Sequence, residues 1–178
     1  ACVVTPEVFD SPGGYVTILH EFVHCYQYET CEQDLKMKLD IARKAREVGD
    51  FMWEIEHPFP YNSKDFIRSY LKFLKAVNEE DTHTIFNSRR GLRAYLGVHD
   101  YEYMVWQEWK EGFARWVENC VKRQLKMPEN KGGLEPPFSR VLFYTGGEAY
   151  ISLLAKNTPT LVENLRALFS AMFTPCLE

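Results

Sequence analysis

A chain of 178 residues with a formal net charge of −4, 46% hydrophobic and 15% aromatic residues, has enough apolar matter for one packed domain. Its Lys and Arg are scattered, which excludes the basic stripe of a nucleic-acid binder, and no apolar run approaches the roughly 20 residues that span a bilayer. No signal-peptide pattern opens the chain, and Cys2, Cys25, Cys31, Cys120 and Cys176 form no CxxC and no even-numbered framework, so buried thiols in a reducing, cytoplasmic setting are the expectation.

Along the chain, Cys2 to Val4 and Val8 to Phe9 read as two very short strands. Ser11-Pro12-Gly13-Gly14 is a turn able to start a helix, because Ser caps and Pro suits the first turn. From Tyr15 to about Glu29, Tyr15, Ile18, Leu19, Phe22, Val23 and Tyr26 recur at helical spacing, which predicts a largely buried helix. Residues 32–57 read as a charged second helix that Gly49 bends or ends. His57-Pro58-Phe59-Pro60 is a break. Ser63 caps a third helix, with Phe66, Tyr70, Phe73, Leu74 and Val77 inward. A weaker helix over 84–96, interrupted by Gly91, precedes a long one from about Tyr101 to Leu125. After a loop at 131–137 come a helix from near Val141 to Lys156 and a last one, with Thr158 as cap and Pro159 at its first position, to about Phe173. The fold class expected is mainly α, with minor β at the N-terminus.

The chemistry concentrates in His20-Glu21-Phe22-Val23-His24. Positions i and i+4 share a helix face, so both histidines can hold one metal ion. Glu21 stands about 100° round the helix from His20, placed to hold a water rather than the metal. Two hydrogen-bonded core histidines are the competing reading, although so apolar a stretch offers them few partners. A third ligand must come from elsewhere. His57, His83 and His99 fall in breaks and polar connections. Glu111 suits better: it lies on the later helix with small Gly112 and Ala114 beside it, and a glycine inside a helix costs about 1 kcal/mol relative to alanine. Glu118, two turns on, can accept a hydrogen bond from the free ring N–H of a ligating histidine.

Together, His20 to His24 and Trp109-Lys110-Glu111-Gly112-Phe113-Ala114 resemble the gluzincin metallopeptidases, in particular the aminopeptidase N-like group, with its HExxH and its W-x-x-E-G-F-A helix. Tyr144-Thr145-Gly146-Gly147 is similar to that family's Y-x-x-G. The resemblance implies a zincin-like domain over 1–178, Zn²⁺ held by His20, His24 and Glu111, Glu21 as general base and Tyr144 as oxyanion donor. It also implies a peptide or protein substrate, with no nucleic acid and no membrane span involved. It covers residues 15–29 and about 103–173, leaving a helical insertion at about 32–100. The chain departs from the family in several places: Trp109 precedes Glu111 by two positions rather than three, no G-x-M-E-N segment precedes the motif, sequence for a supporting sheet is nearly absent, and Arg115 stands where some members place an acid. A zinc-dependent peptidase is therefore the expected activity. A zincin-like metal protein with a regulatory or partner-binding role, and a helical interaction protein with a chance motif, are the alternatives.

Overall fold

The structure is a computed structural model that describes residues 2–174; Cys176 lies outside them. The described residues are mainly α-helical and contain no strand. The two expected strands are corrected: residues 2–4 are irregular, and Val8 and Phe9 belong to a 3-10 turn, Pro6–Asp10. Segments of two or three residues cannot hold a sheet without a ladder partner, and no described segment offers one. No described helix is long and apolar enough to cross a membrane. Cys2, Cys25, Cys31 and Cys120 are free thiols, but only Cys31 is buried, so the expectation of buried thiols holds for one of the four.

Helix α1 (Pro12–Gln27) starts where Ser11 Oγ accepts from Gly14 N at 3.1 Å, with Pro12 in the first turn. A π-helical turn, Tyr28–Glu32, carries it into short α2 (Gln33–Lys36). It is not the largely buried helix that its periodicity predicts. Only Val16 and Gln27 are buried, and Tyr15, Leu19, Phe22 and Tyr26 stand about half exposed. The face turned towards the rest of the protein is the one carrying His20, His24 and Gln27, while the apolar stripe meets little beyond Phe9 of the 3-10 turn, packed on Tyr15.

The second expected helix is three pieces: α2, α3 (Asp40–Val48) and α4 (Trp53–Glu56). Gly49 ends α3 in the left-handed conformation, φ 72°, that glycine adopts freely. Helix α5 (Lys64–Asn78) begins as expected, Ser63 Oγ accepting from Phe66 N. The two helices expected next are joined as α6 (Thr82–Gln124), bent sharply at Gly97 (φ 72°, ψ −173°), while Gly91 stays helical. Helix α7 (Val141–Asn157) follows. The last helix is not capped by Thr158: Pro159–Glu163 is a 3-10 turn, and Asn164 caps α8 (Leu165–Phe173), its Oδ1 accepting from Ala167 N at 3.0 Å.

The part of α6 beyond Gly97 is the axis of the core. Tyr101, Tyr103, Trp106 and Trp109 are fully or almost fully buried along it. Residues of the expected insertion share that core rather than standing apart from it. Phe59 packs on Phe66, Tyr103 and Phe143, and Tyr70 on Phe73 and Phe143. Helices α6 and α7 touch backbone to backbone. A Cβ on Gly112 would stand 2.6 Å from Gly147 Cα, so a larger residue must push the helices apart. That contact is the reason for a glycine in mid-helix, and it draws the start of α7 alongside Glu111.

Candidate metal centre

Helix α1 lies on α6 with three side chains converging. His20 Nε2 and His24 Nε2 are 3.2 Å apart, His24 Nε2 and Glu111 Oε2 3.4 Å, and His20 Nε2 and Glu111 Oε2 3.8 Å. Among the described residues this is the one group of three or more His, Cys, Asp or Glu able to hold a metal ion. Ligands about 2.0–2.1 Å from a tetrahedral ion stand about 3.3–3.4 Å from one another. The three separations bracket that value, so the donor set fits zinc in size as well as in chemistry.

The outer partners fix which nitrogens face inwards. Gln27 is buried, and its Nε2 donates to the carbonyls of Trp109 at 3.4 Å and Lys110 at 3.1 Å. Its Oε1 must therefore face His24 Nδ1, 3.0 Å away, and that nitrogen must be the donor. Glu118 Oε2 lies 3.2 Å from His20 Nδ1. Glu118 also takes Lys122 Nζ at 2.6 Å and Asn130 Nδ2 at 3.2 Å on its other oxygen. Against the cost of burial, the hydrogen bonds from His20, Lys122 and Asn130 bring its pKa down to about 2, so it accepts only. In its neutral form each imidazole thus spends its N–H outwards and points a bare Nε2 lone pair at the other and at a carboxylate.

Two lone pairs and an anion at such distances repel unless a cation lies among them. The electrostatics report the same demand in protons. Burial disfavours charge on His20, yet its hydrogen bonds to Glu111 and Glu118 win and raise its pKa from 6.5 to about 9. Glu111 is held far below the ordinary carboxylate range by His20 and His24, despite its burial. A proton or a metal ion can meet the demand.

Glu21 is half-buried and lines a cavity of about 390 Å³ with His24, Cys25, Glu29, Glu32 and Lys110. Among the described residues its carboxylate makes no hydrogen bond or ion pair. Lys110, next to Glu111, is held by Glu32 at 3.1 Å and Glu54 at 2.8 Å, which ties the ligand-bearing helix to α4 and to the end of the π-helical turn. Tyr144 lies by Glu111 on the α7 side. Burial and the Glu111 charge push its phenol well above the usual tyrosine range. Arg115 and Arg140 stand over its ring at 5.0 and 6.0 Å from the centroid.

The other histidines stand apart from the cluster. His57 pairs with Asp100 at 2.6 Å and packs on Tyr103, His83 lies exposed beside Asn87, and His99 is near the bend at Gly97. The residue that sequence reasoning missed is Gln27. Its signal was present: Gln27 is three residues after His24 and seven after His20, on the face the metal motif uses. Comparison with known proteins finds no match: no family model, no curated protein and no solved structure corresponds to the chain.

Proposed function

We propose that this protein is a zinc-dependent peptidase of gluzincin type, with His20, His24 and Glu111 holding the metal. The observation that carries this reading is the outward engagement of both Nδ1 atoms, by Glu118 and by Gln27, which leaves two Nε2 lone pairs and the Glu111 carboxylate facing one point. Bound zinc supplies Lewis-acid polarisation of a carbonyl and brings the pKa of a water it holds towards about 7.

The chain's own residues account for the remaining roles. Glu21 has a carboxylate free of described partners and borders the same cavity as His24. It takes the proton of the attacking water and later gives it to the leaving amine. Tyr144 keeps its phenolic proton, because burial and Glu111 both oppose ionisation, and so can donate to a developing oxyanion. Glu118 and Gln27 hold the ring orientations.

One observation favours a second reading, a metal-binding protein without hydrolysis: no described strand borders the site to pair with an extended peptide. Zinc-loaded wild type and Glu21→Gln, incubated with a defined peptide mixture and analysed by mass spectrometry, separate the two. The peptidase reading expects one zinc per chain in both proteins and cleavage only in the wild type. Cleavage by neither at one bound zinc favours the second reading, and equal cleavage by both removes Glu21 from its role.

A further inference from the structure

The α7 side of the metal centre carries two guanidinium groups, and among the described residues no acid stands within ion-pair distance of either. Arg115 is only 6% exposed. Its Nη1 donates to Gly132 O at 2.9 Å and Thr145 Oγ1 at 2.8 Å, both neutral acceptors, and its Nε is buried without a partner. Glu118, Glu111 and Glu148 act on it only at longer range, none within ion-pair distance among the described residues. The guanidinium of Arg140, half-buried just before α7, makes no hydrogen bond and no ion pair among the described residues. It lies over the Tyr144 ring, 6.0 Å from the centroid.

Buried arginine elsewhere in this chain is treated differently. Arg89 also leaves its Nε without a partner, but it has a counter-charge, Glu108 at 2.7 Å. An arginine withdrawn from water normally takes a carboxylate, since an unpaired buried charge is costly. Here no carboxylate stands within ion-pair distance of either guanidinium among the described residues: neutral groups hold Arg115, and Arg140 is engaged only by the Tyr144 ring. Its planar fork of N–H groups matches a carboxylate in two-point contact. The ring of Tyr144, over which both guanidinium groups lie, supplies an apolar surface for whatever bears that carboxylate.

We propose that Arg140, backed by Arg115 across the Tyr144 ring, recognises a substrate carboxylate next to the bond being cut. The substrates are then peptides with an acid group close after that bond, either the C-terminal carboxylate or an Asp or Glu side chain. The inference rests on the peptidase reading for the word substrate, but its test reads binding.

The probes are N-acetyl-alanyl-phenylalanine as the free acid, the same compound as its C-terminal amide, and N-acetyl-alanyl-glutamate as the C-terminal amide. Each is titrated calorimetrically into zinc-loaded protein on the Glu21→Gln background, which prevents turnover. An acid probe is expected to bind about tenfold tighter than the neutral amide. The preference disappears in Arg140→Gln and is partly kept in Arg140→Lys, which retains the charge without the fork. Preference for the first acid identifies the terminal carboxylate, and preference for the third probe the side chain. Equal affinities, no saturable binding of any probe, or a preference that Arg140→Gln leaves untouched overturns the proposal. The last outcome assigns the carboxylate to the metal itself. Arg140→Lys decides the matter should Arg140→Gln fail to fold. Absence of hydrolysis in wild type, read separately, refutes the peptidase reading and leaves the binding result standing.

Discussion

Glu108 and Glu111 are neighbours on α6, one turn apart, and the protein uses them in opposite ways. Glu108 is fully buried and fully answered. Arg89 Nη1 donates to its two oxygens at 3.0 and 2.7 Å, and Tyr70 Oη donates at 2.7 Å. Arg89 in turn lies among the rings of Phe73, Tyr101 and Tyr150 and donates to Met172 O at 2.8 Å. That closed arrangement ties α5, α6 and α8 together. Glu111 faces two imidazoles whose N–H groups are engaged elsewhere, and its surroundings call for one more positive charge. A charge balanced within the chain holds the fold, whereas a charge left unbalanced near the surface makes a place for an ion.

The largest expected effect tests the closed side. Glu108→Gln leaves Arg89 buried without its counter-charge, and breaking such a pair costs about 3–5 kcal/mol. Chemical denaturation should show that loss. In metal-free protein, Glu111→Gln should lose no more than about 1.5–3 kcal/mol, the worth of hydrogen bonds to a charged group. Equal losses at the two positions would dissolve the distinction between a structural and a receptive carboxylate.

Only the Glu111 side of this contrast was legible in the sequence, and the Glu108 side was hidden for identifiable reasons. Spacing alone places His20, His24, Glu111 and Glu118 on two helix faces, because i, i+4 and i+7 positions coincide whatever the tertiary fold. Periodicity on α1 correctly marks a helix but misidentifies its buried side. Tyr15, Leu19, Phe22 and Tyr26 form the more regular apolar stripe, yet they stand half exposed, while polar His20, His24 and Gln27 face α6. A stripe records that one face differs from another, not which neighbour it meets. Gly91 and Gly97 show a similar limit: either could break a helix, and only the backbone path decides that Gly97 does. Arg89 and Glu108 sit 19 positions apart along one bent helix, so no local spacing rule pairs them.

The open side is tested next by zinc. At free zinc a hundredfold above its dissociation constant, the metal should add about 2.7 kcal/mol to wild-type stability. Thermal or chemical melts with and without zinc would read it directly. Glu108→Gln should retain that increment on its lower baseline, and Glu111→Gln should lose it. Glu118→Gln should weaken zinc binding by about 10–100-fold, the usual cost of losing the partner that orients a ligating imidazole. A Glu118→Gln protein binding zinc as tightly as wild type would reduce the His20–Glu118 contact to packing.

The pH dependence is the most specific test, because proton and metal compete for the same lone pairs. In metal-free protein the His20 pKa is raised from 6.5 to about 9. The folded state then binds the proton more tightly than the unfolded one. This stabilisation is complete below pH 6.5 and is lost as pH rises through about 9. Glu118 is the mirror image: lowered from 4.5 to about 2, it contributes above pH 4.5 and fails as pH falls through about 2. Melting temperature of the metal-free protein should therefore decline between pH 6.5 and 9. Zinc affinity should move the other way over the same interval, because His20 must give up its proton to ligate. Melts across that range, paired with zinc titrations followed by proton release, give two curves of opposite slope that both level off near pH 9. Glu118→Gln should move that levelling point downwards in both. A flat metal-free curve, or a zinc affinity indifferent to pH, would mean that the converging lone pairs of His20 and His24 are not where the two cations compete.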